Sequence, residues 1–288
     1  EADELNSSID GSVEGIGVSF VGTYYGALVS EVYKDSPAYK AGLIDGDLIT
    51  HVEGTSIQGY STDKIRNVIM GKKDTKVSLK VLRNGSYLSF DVIRGNVETS
   101  VGYEVRNNIG YIRLSTFGSN TASLLEEALN YFKNQTVNKI CIDLRGNGGG
   151  YITAVEGVLN LFIEKDLKLF DVVYKDNEVT SLVASKGNKY VFEEGYILVN
   201  SSSASASEVM TSALSEILGY KVIGQNTYGK GTVQKTKKLS DGSMIKYTTQ
   251  KWLTPKGNWI NEKGVKPTNY IELDRSLDND NQLDLAVN

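Results

Sequence analysis

The chain changes its hydrophobic periodicity near residue 97. Before that point, short alternating apolar runs separated by glycine turns predict strands, and the runs 77–82 and 87–93 around Asn84-Gly85 indicate a β-hairpin. After that point, continuous apolar strands alternate with runs of helical spacing, which is typical of an α/β sheet covered on both faces. We therefore predict a linker at 1–10, a β-rich domain at 11–97 and an α/β domain at 98–288.

Composition narrows the classes of function that remain. The 288 residues carry a net charge of −4 without a basic stripe, which argues against a nucleic-acid partner. No apolar run approaches the roughly 20 residues of a membrane span, and the start at Glu1, without Met or a basic leader, is typical of a trimmed product. The single cysteine, Cys141, excludes an internal disulfide and a cysteine-based metal site. The single histidine, His51, lies in the β-rich part, so we expect no histidine metal cluster and no Ser-His-Asp triad.

A cluster of serines lies where an apolar strand at 196–199 turns into a predicted helix that ends at Gly219. The stretch 200–208 reads N-S-S-S-A-S-A-S-E. A helix N-terminus offers unpaired N–H groups and a partial positive charge, and both stabilise an oxyanion. This place therefore suits a nucleophile. The alternative is that Ser205 and Glu208 form only an S-x-x-E capping box.

Two further loops follow apolar strands. The glycine run 146–150 lacks the last glycine of a dinucleotide-binding motif and the G-K-S/T of a nucleotide-hydrolase loop, but its exposed N–H groups suit an oxyanion hole. Lys230 lies between Gly229 and Gly231, whose lack of side chains allows the lysine to enter a confined site. Desolvation lowers a lysine pKa, so Lys230 could act as a base beside a serine. The alternative is a solvated surface lysine.

The β-rich part resembles bacterial PDZ domains in its G-I-G-V loop and in the pattern S-P-A-x-x-A-G-L-x-x-G-D-x-I that begins at Ser36. The resemblance implies that an extended peptide adds a strand beside this loop, with its terminal carboxylate bound by backbone N–H groups. The implied peptide-binding residues are Gly15, Ile16, Gly17 and Val18 for the carboxylate, with Ile65 and Ile69 near the side-chain pocket. The alternative is that these glycines only permit a tight turn.

Nearly the whole chain resembles the tail-specific, or C-terminal processing, serine peptidases. The segments D-L-R-G-N-G-G-G at 143–150, S-A-S-A-S-E at 203–208 and T-Y-G-K-G-T-V-Q at 227–234 occur in the order of that family. The resemblance implies a core similar to the crotonase/Clp-protease superfamily. It also implies site roles: nucleophile for Ser205, general base for Lys230, orientation of the lysine amine for Gln234, and oxyanion-hole donors in the backbone of Ala206 and of Gly149 or Gly150.

Two departures from the family pattern affect these roles. Gly148 stands where the family often has proline, which leaves the choice of oxyanion donor open. Ser201 and Ser202 replace an acidic residue and a glycine, which enlarges the serine cluster from which the nucleophile must be chosen.

We therefore predict an extracytoplasmic serine endopeptidase, in the cell envelope or secreted, that needs neither metal nor cofactor. Its substrates would be proteins or peptides whose free, apolar C-termini bind the PDZ domain. Two alternatives remain: a PDZ peptide-binding adaptor with an inactive protease core, and an acyl-thioester enzyme that shares the oxyanion hole. The physiological substrate, assembly into a homo-oligomer and the effect of the PDZ domain on activity stay open.

Overall fold

The computed structural model describes residues 12–33, 35–98, 100–238, 243–274, 276–277 and 279–287. The chain divides into two compact units, Glu1–Thr99 and Ser100–Asn288. The predicted domain limits of 11–97 and 98–288 stay predictions, and the predicted linker at 1–10 lies outside the described residues. The two units are described separately below.

The first unit is a β-rich domain, and its described residues include two short helices. Its elements are β1 (Ser12–Gly15), β2 (Val18–Thr23), β3 (Gly26–Val32), α1 (Pro37–Ala41), β4 (Leu48–Val52), β5 (Thr55–Ser56), α2 (Thr62–Ile69), β6 (Lys76–Arg83), β7 (Ser86–Ile93) and β8 (Gly95–Glu98). The main sheet has the order β2-β3-β4-β6-β7, with β5 on β4, while β1 pairs with β8. Asn84 and Gly85 both have positive φ, as a tight hairpin turn between β6 and β7 requires, which confirms the predicted hairpin.

The described residues of the second unit form two sheets. Its elements are β9 (Val101–Arg106), β10 (Ile109–Leu114), α3 (Thr121–Asn134), β11 (Lys139–Asp143), α4 (Ile152–Leu159), β12 (Lys168–Tyr174), β13 (Val179–Val183), β14 (Glu194–Val199), α5 (Ala206–Leu218), β15 (Lys221–Gly224), β16 (Thr232–Lys238), β17 (Met244–Leu253), β18 (Asn269–Tyr270) and α6 (Asn281–Val287). The first sheet has the order β18-β15-β14-β11-β10-β9, and the second is an antiparallel sheet of order β13-β12-β17-β16. No helix in the described part of the chain has the length and apolar composition to cross a bilayer.

The central strands are buried on both faces, which explains their continuous apolar sequences. In β11, Ile140 and Ile142 belong to the main core of the unit, whereas Cys141 between them belongs to a smaller cluster with Leu283 and Ala286 of α6. This alternation follows from the two-residue period of a strand. Helix α6 therefore covers one face, and the residues of α3, α4 and α5 fill the core on the other face.

The sheet topology places three loops along one edge. Strands β10, β11, β14 and β15 run parallel, so their carboxyl ends point the same way. The glycine run follows β11, the serine turn follows β14, and residues 225–231, which we call the lysine loop, follow β15. In open α/β sheets, sites form in the crevice at this edge.

Candidate active site

Ser205 stands between strand β14 and helix α5, directly before the first helical residue. Its backbone has φ of 55° and ψ of −115°, which lies outside the regions that L-residues normally occupy. Such strain costs about 1–3 kcal/mol and is concentrated at functional sites. Its side chain is half-buried. The serine turn therefore holds Ser205 in a strained conformation at the edge where the three loops meet.

The other serines of the turn have different surroundings. Ser203 and Ser207 are both 0% exposed. The Ser203 hydroxyl donates to the carbonyl of Leu144 at 2.8 Å, and the Ser207 hydroxyl donates to the carbonyl of Asn147 at 2.8 Å. Both hydroxyls therefore fasten the serine turn to the chain that leads into the glycine run, whereas Ser201 and Ser202 are exposed.

The glycine run lies directly against the serine turn. A Cβ on Gly149 would lie 2.8 Å from the carbonyl oxygen of Ala204, 2.9 Å from Ser205 Cβ and 3.1 Å from the Ala206 nitrogen. Only glycine allows this approach, and its φ of 106° also favours glycine. The Gly149 N–H donates to Asn147 Oδ1 at 2.8 Å.

Two of the three predicted oxyanion donors remain uncommitted. Among the hydrogen bonds of the described residues, none uses the N–H of Gly150 or of Ala206. Gly150 is exposed, and its backbone packs against Phe117, with which it forms an isolated bridge. The N–H of Gly149 is occupied, so the arrangement favours Gly150 over Gly149 as the donor from the glycine run.

Glu208 joins the serine turn to the lysine loop. This side chain lies in the first turn of α5 and is 0% exposed. Its Oε2 accepts the N–H of Ser205 at 2.9 Å and the N–H of Lys230 at 2.8 Å. Its Oε1 accepts the Gly229 N–H and the Thr227 hydroxyl, each at 2.6 Å. One buried carboxylate therefore fixes the backbone of both predicted dyad residues.

Lys230 is half-buried, and its two flanking glycines have no room for a side chain. A Cβ on Gly229 would lie 2.9–3.0 Å from the backbone nitrogens of residues 262–264, and one on Gly231 would lie 2.8 Å from the Asn261 nitrogen. Gln234 lies four positions beyond Lys230 on β16, beside a register shift of the β16–β17 pairing, and its side chain is exposed.

Comparison with known proteins assigns this core to a family. Residues 108–271 match the model of peptidase family S41, and residues 28–83 match a PDZ domain model. The chain belongs to peptidase family S41. The predicted fold class, an α/β peptidase core after a β-rich PDZ domain, is confirmed.

Similar proteins are carboxy-terminal processing proteases. The chain is 37% identical over 279 residues to CtpB of Bacillus subtilis (strain 168). This alignment covers 94% of this chain and 58% of the relative. It is also 37% identical over 276 residues to CtpA of the same strain, which covers 95% of this chain and 59% of the relative. The chain thus spans less than two thirds of these curated relatives.

Solved structures share the fold. A photosystem II D1 C-terminal processing protease aligns with a TM-score of 0.55 and 27% identity, over 91% of this chain and 73% of that one. A putative S41 protease from Bacteroides fragilis aligns with a TM-score of 0.63 and 17% identity, over 96% of this chain and 82% of that one. At 17% identity, the second likeness concerns the fold alone.

In the PDZ domain, the predicted carboxylate loop connects β1 to β2. Gly15 ends β1, Ile16 is buried, Gly17 has φ of 82° and Val18 begins β2. The carbonyls of Ile16 and Gly17 accept from Ala38, Tyr33 and Ser36, whereas no hydrogen bond within the described residues uses the N–H of Ile16 or Gly17.

Two helical residues predicted near the peptide pocket, Ile65 and Ile69, are 0% and 3% exposed and belong to the core of the PDZ domain. Their predicted contact with a bound peptide stays a prediction. His51 lies on β4 of the same sheet, with Nδ1 3.0 Å from Thr50 Oγ1.

Sequence reasoning missed two features of the S41 core. It interpreted Glu208 only as a helix cap, although the same carboxylate also binds the lysine loop. It gave no role to Arg145, which forms ion pairs with Asp143 at 2.6 Å and with Asp280 at 2.7 Å. Arg145 thereby ties the start of the glycine run to the residue before α6. The position of Arg145 directly before the glycine run was a signal that the sequence offered for this link. Its partner Asp280, however, lies 135 positions away in the sequence.

Proposed function

We propose that this S41 core is a serine endopeptidase in which Ser205 and Lys230 form the catalytic dyad. The observation that carries the proposal is the Glu208 carboxylate, which accepts the backbone N–H groups of both residues. The strained backbone of Ser205 supports the same conclusion. The hydroxyls of Ser203 and Ser207 also support this choice. Both are buried and donate hydrogen bonds to backbone carbonyls, which makes these serines poor nucleophiles.

The reaction would proceed as acyl transfer through a covalent intermediate. Neutral Lys230 accepts the hydroxyl proton of Ser205 while Oγ attacks the carbonyl carbon of the scissile peptide bond. The tetrahedral oxyanion binds the N–H groups of Ala206 and Gly150, and Lys230 then protonates the leaving amine. Water, activated by the same lysine, hydrolyses the acyl-enzyme. Gln234 would orient the lysine amine by a hydrogen bond.

The PDZ domain would supply substrate selection. We propose that the loop from Gly15 to Val18 binds the terminal carboxylate of a protein or peptide with a free, apolar C-terminus. The uncommitted N–H groups of Ile16 and Gly17 support this role. The extracytoplasmic location and the absence of a cofactor rest on the family resemblance and belong to the same proposal.

Active-site labelling tests the dyad. A fluorophosphonate reacts with an activated serine, and mass spectrometry of the labelled chain identifies the modified residue. We expect the label on Ser205 and the loss of labelling in Lys230→Ala, while Ser203→Ala and Ser207→Ala still label. A label on Ser203, or cleavage of unfolded protein by Ser205→Ala, would contradict the proposal. Peptide binding without labelling or cleavage would favour the adaptor.

A further inference from the structure

The segment from Trp252 to Gly264, which we call the bracket segment, forms hydrogen bonds with the backbone of the lysine loop. The Trp252 indole is 1% exposed, and its Nε1 donates to the Lys230 carbonyl at 2.8 Å. The Trp259 indole donates to the Gly231 carbonyl at 3.0 Å. The two indoles thus donate hydrogen bonds to the consecutive backbone carbonyls of Lys230 and Gly231.

Further contacts of the bracket segment complete this hold. Asn261 Oδ1 accepts the Gly231 N–H at 3.2 Å, and the Glu262 N–H donates to the Gly229 carbonyl at 2.8 Å. Glu208 accepts the N–H groups of Gly229 and Lys230. Every backbone N–H and carbonyl from Gly229 to Gly231 therefore has a hydrogen-bond partner.

This arrangement has a consequence for the lysine amine. A peptide unit whose N–H and carbonyl are both bonded cannot rotate without breaking those bonds, so the Cα–Cβ direction of Lys230 is fixed. The lysine side chain is long, and a small rotation at its Cα moves the amine by a larger distance. Misplacement of a reacting group by about 1 Å can reduce a rate about 100-fold.

We propose that Trp252, Trp259 and Asn261 are positioning residues for Lys230. They act through the backbone of the lysine loop, and the proposal rests on the Ser205–Lys230 dyad proposed above. The glycines on both sides of Lys230 are part of the same arrangement, because they let the bracket segment pack closely against the lysine loop. A Cβ on Gly231 would lie 2.8 Å from Trp259 Nε1. The close approach of the bracket segment therefore requires glycine there.

The test uses three substitutions in the full chain, Trp252→Phe, Trp259→Phe and Asn261→Ala. Each removes one hydrogen-bonding group, and phenylalanine keeps an aromatic ring. We expect kcat to fall about 10- to 100-fold with KM within about twofold, because the lysine acts in the transition state. We also expect at least about tenfold faster amide exchange for residues 229–231. Asn261→Asp keeps an acceptor oxygen and should restore most of the activity that Asn261→Ala loses.

Tyr190→Phe is the matched control. Tyr190 is 6% exposed in the same core, and its hydroxyl donates to Asn130 at 2.6 Å. We expect this variant to keep its kcat and its exchange at 229–231, even if its melting temperature falls. Wild-type kcat and exchange in both tryptophan variants would overturn the proposal, and so would an equal loss of kcat in Tyr190→Phe. Full activity in Lys230→Ala would instead overturn the dyad itself.

Discussion

At the scale of single residues, the protonation state of Lys230 gives the most direct test of the mechanism. The amine must be neutral to accept a proton, so kcat/KM should rise with pH as the ammonium of the free enzyme deprotonates. Lys230→Ala should remove this ascending limb with nearly all activity. Lys230→Arg should not rescue it, because guanidinium stays protonated in proteins. A pH series of initial rates on an unfolded protein substrate measures the effect.

The single histidine provides the control for this pH profile. His51 lies on β4 of the PDZ domain sheet, with Nδ1 against Thr50. His51→Ala should therefore leave the ascending limb unchanged. An ascending limb that survives Lys230→Ala and disappears in His51→Ala would show that the base is the histidine.

The strained backbone of Ser205 predicts a difference between two inactive variants. Glycine adopts φ of 55° with ψ of −115° readily, whereas alanine shares the strain of serine. Ser205→Gly should therefore be about 1 kcal/mol more stable than Ser205→Ala, after the entropic cost of glycine is subtracted from the relieved strain. Urea unfolding of the two variants measures this difference. A more stable Ser205→Ala would mean that the turn carries no strain.

The residues of the dyad could be proposed from the sequence because they lie within short motifs with fixed spacing. Lys230 follows Ser205 by 25 positions in the order of the family. The second role of Glu208 could not be predicted in this way. A capping box is a local pattern, but the Glu208 contacts to Thr227, Gly229 and Lys230 bridge 19, 21 and 22 positions. They exist only because parallel β14 and β15 bring their following loops together.

At the scale of elements, Glu208 should matter for catalysis more than for folding. In Glu208→Gln, the side-chain amide presents donors to two of the four groups that now donate to the carboxylate. We expect kcat to fall about 10- to 100-fold as the serine turn and the lysine loop separate, with KM little changed. Steady-state kinetics on the folded variant, checked by circular dichroism, measures this.

Glu194→Gln is the control for Glu208→Gln. Glu194 begins β14, the strand that leads to the serine turn, and it forms an ion pair with Lys139 in which both side chains are 39% exposed. Exposed pairs contribute little, so this variant should keep its kcat. Equal kinetics in the two variants would show that Glu208 is only a helix cap.

The link between Arg145 and α6 predicts a change in acid stability. Burial would raise the pKa of Asp280, but hydrogen bonds from the Arg145 side chain and from two backbone N–H groups at the start of α6, together with the Arg145 charge, outweigh burial and hold the pKa below its ordinary value. A depressed folded-state pKa contributes stability that is complete above the ordinary aspartate pKa, about 3.9, and is lost as the pH falls through the folded-state value. The melting temperature should therefore decline below about pH 4, and less steeply in Asp280→Asn.

Calorimetry between about pH 3 and 6 measures this decline. Asp176→Asn is the control, because Asp176 lies in the exposed turn between β12 and β13, where it accepts the N–H of Glu178. Its pH dependence should match the wild type. The same slope in Asp280→Asn as in the wild type would mean that the ion pair adds no acid-sensitive stability.

The elements of the first α/β sheet could be predicted because β10, β11, β14 and β15 bury both faces and read as apolar runs. The second sheet was missed; exposure explains this for its β16–β17 hairpin, but not for β12, which buries Leu169, Phe170 and Val172. Much of the β16–β17 hairpin is solvent-exposed, with Met244, Ile245 and Tyr247 64%, 48% and 43% exposed. A strand without a buried face has no reason to alternate apolar and polar residues. Its pairing is fixed by backbone hydrogen bonds, which leave little trace in the sequence.

At the scale of the whole molecule, the PDZ domain should recognise a terminal carboxylate independently of the dyad. The N–H groups of Ile16 and Gly17 are uncommitted among the described hydrogen bonds and can donate to an anion. A peptide with a free apolar C-terminus should therefore bind Ser205→Ala about 10- to 100-fold more tightly than its amidated twin, as expected for charge-assisted hydrogen bonds. Calorimetry on the inactive Ser205→Ala chain measures both affinities without cleavage of the peptide.

Gly17→Ala in the same inactive background tests whether the loop itself reads the carboxylate. A Cβ at position 17 would lie 2.3 Å from Ser36 Cβ, and φ of 82° is strained for alanine, so the loop must change shape. The preference for the free acid should then disappear, while thermal unfolding shows whether the domain remains folded. Equal affinities of the parent chain for the free-acid peptide and the amidated peptide would contradict binding of the terminal carboxylate by the PDZ domain. They would have no bearing on the proposed Ser205–Lys230 dyad. A preference that persists in Gly17→Ala would place the anion-binding groups elsewhere in the chain.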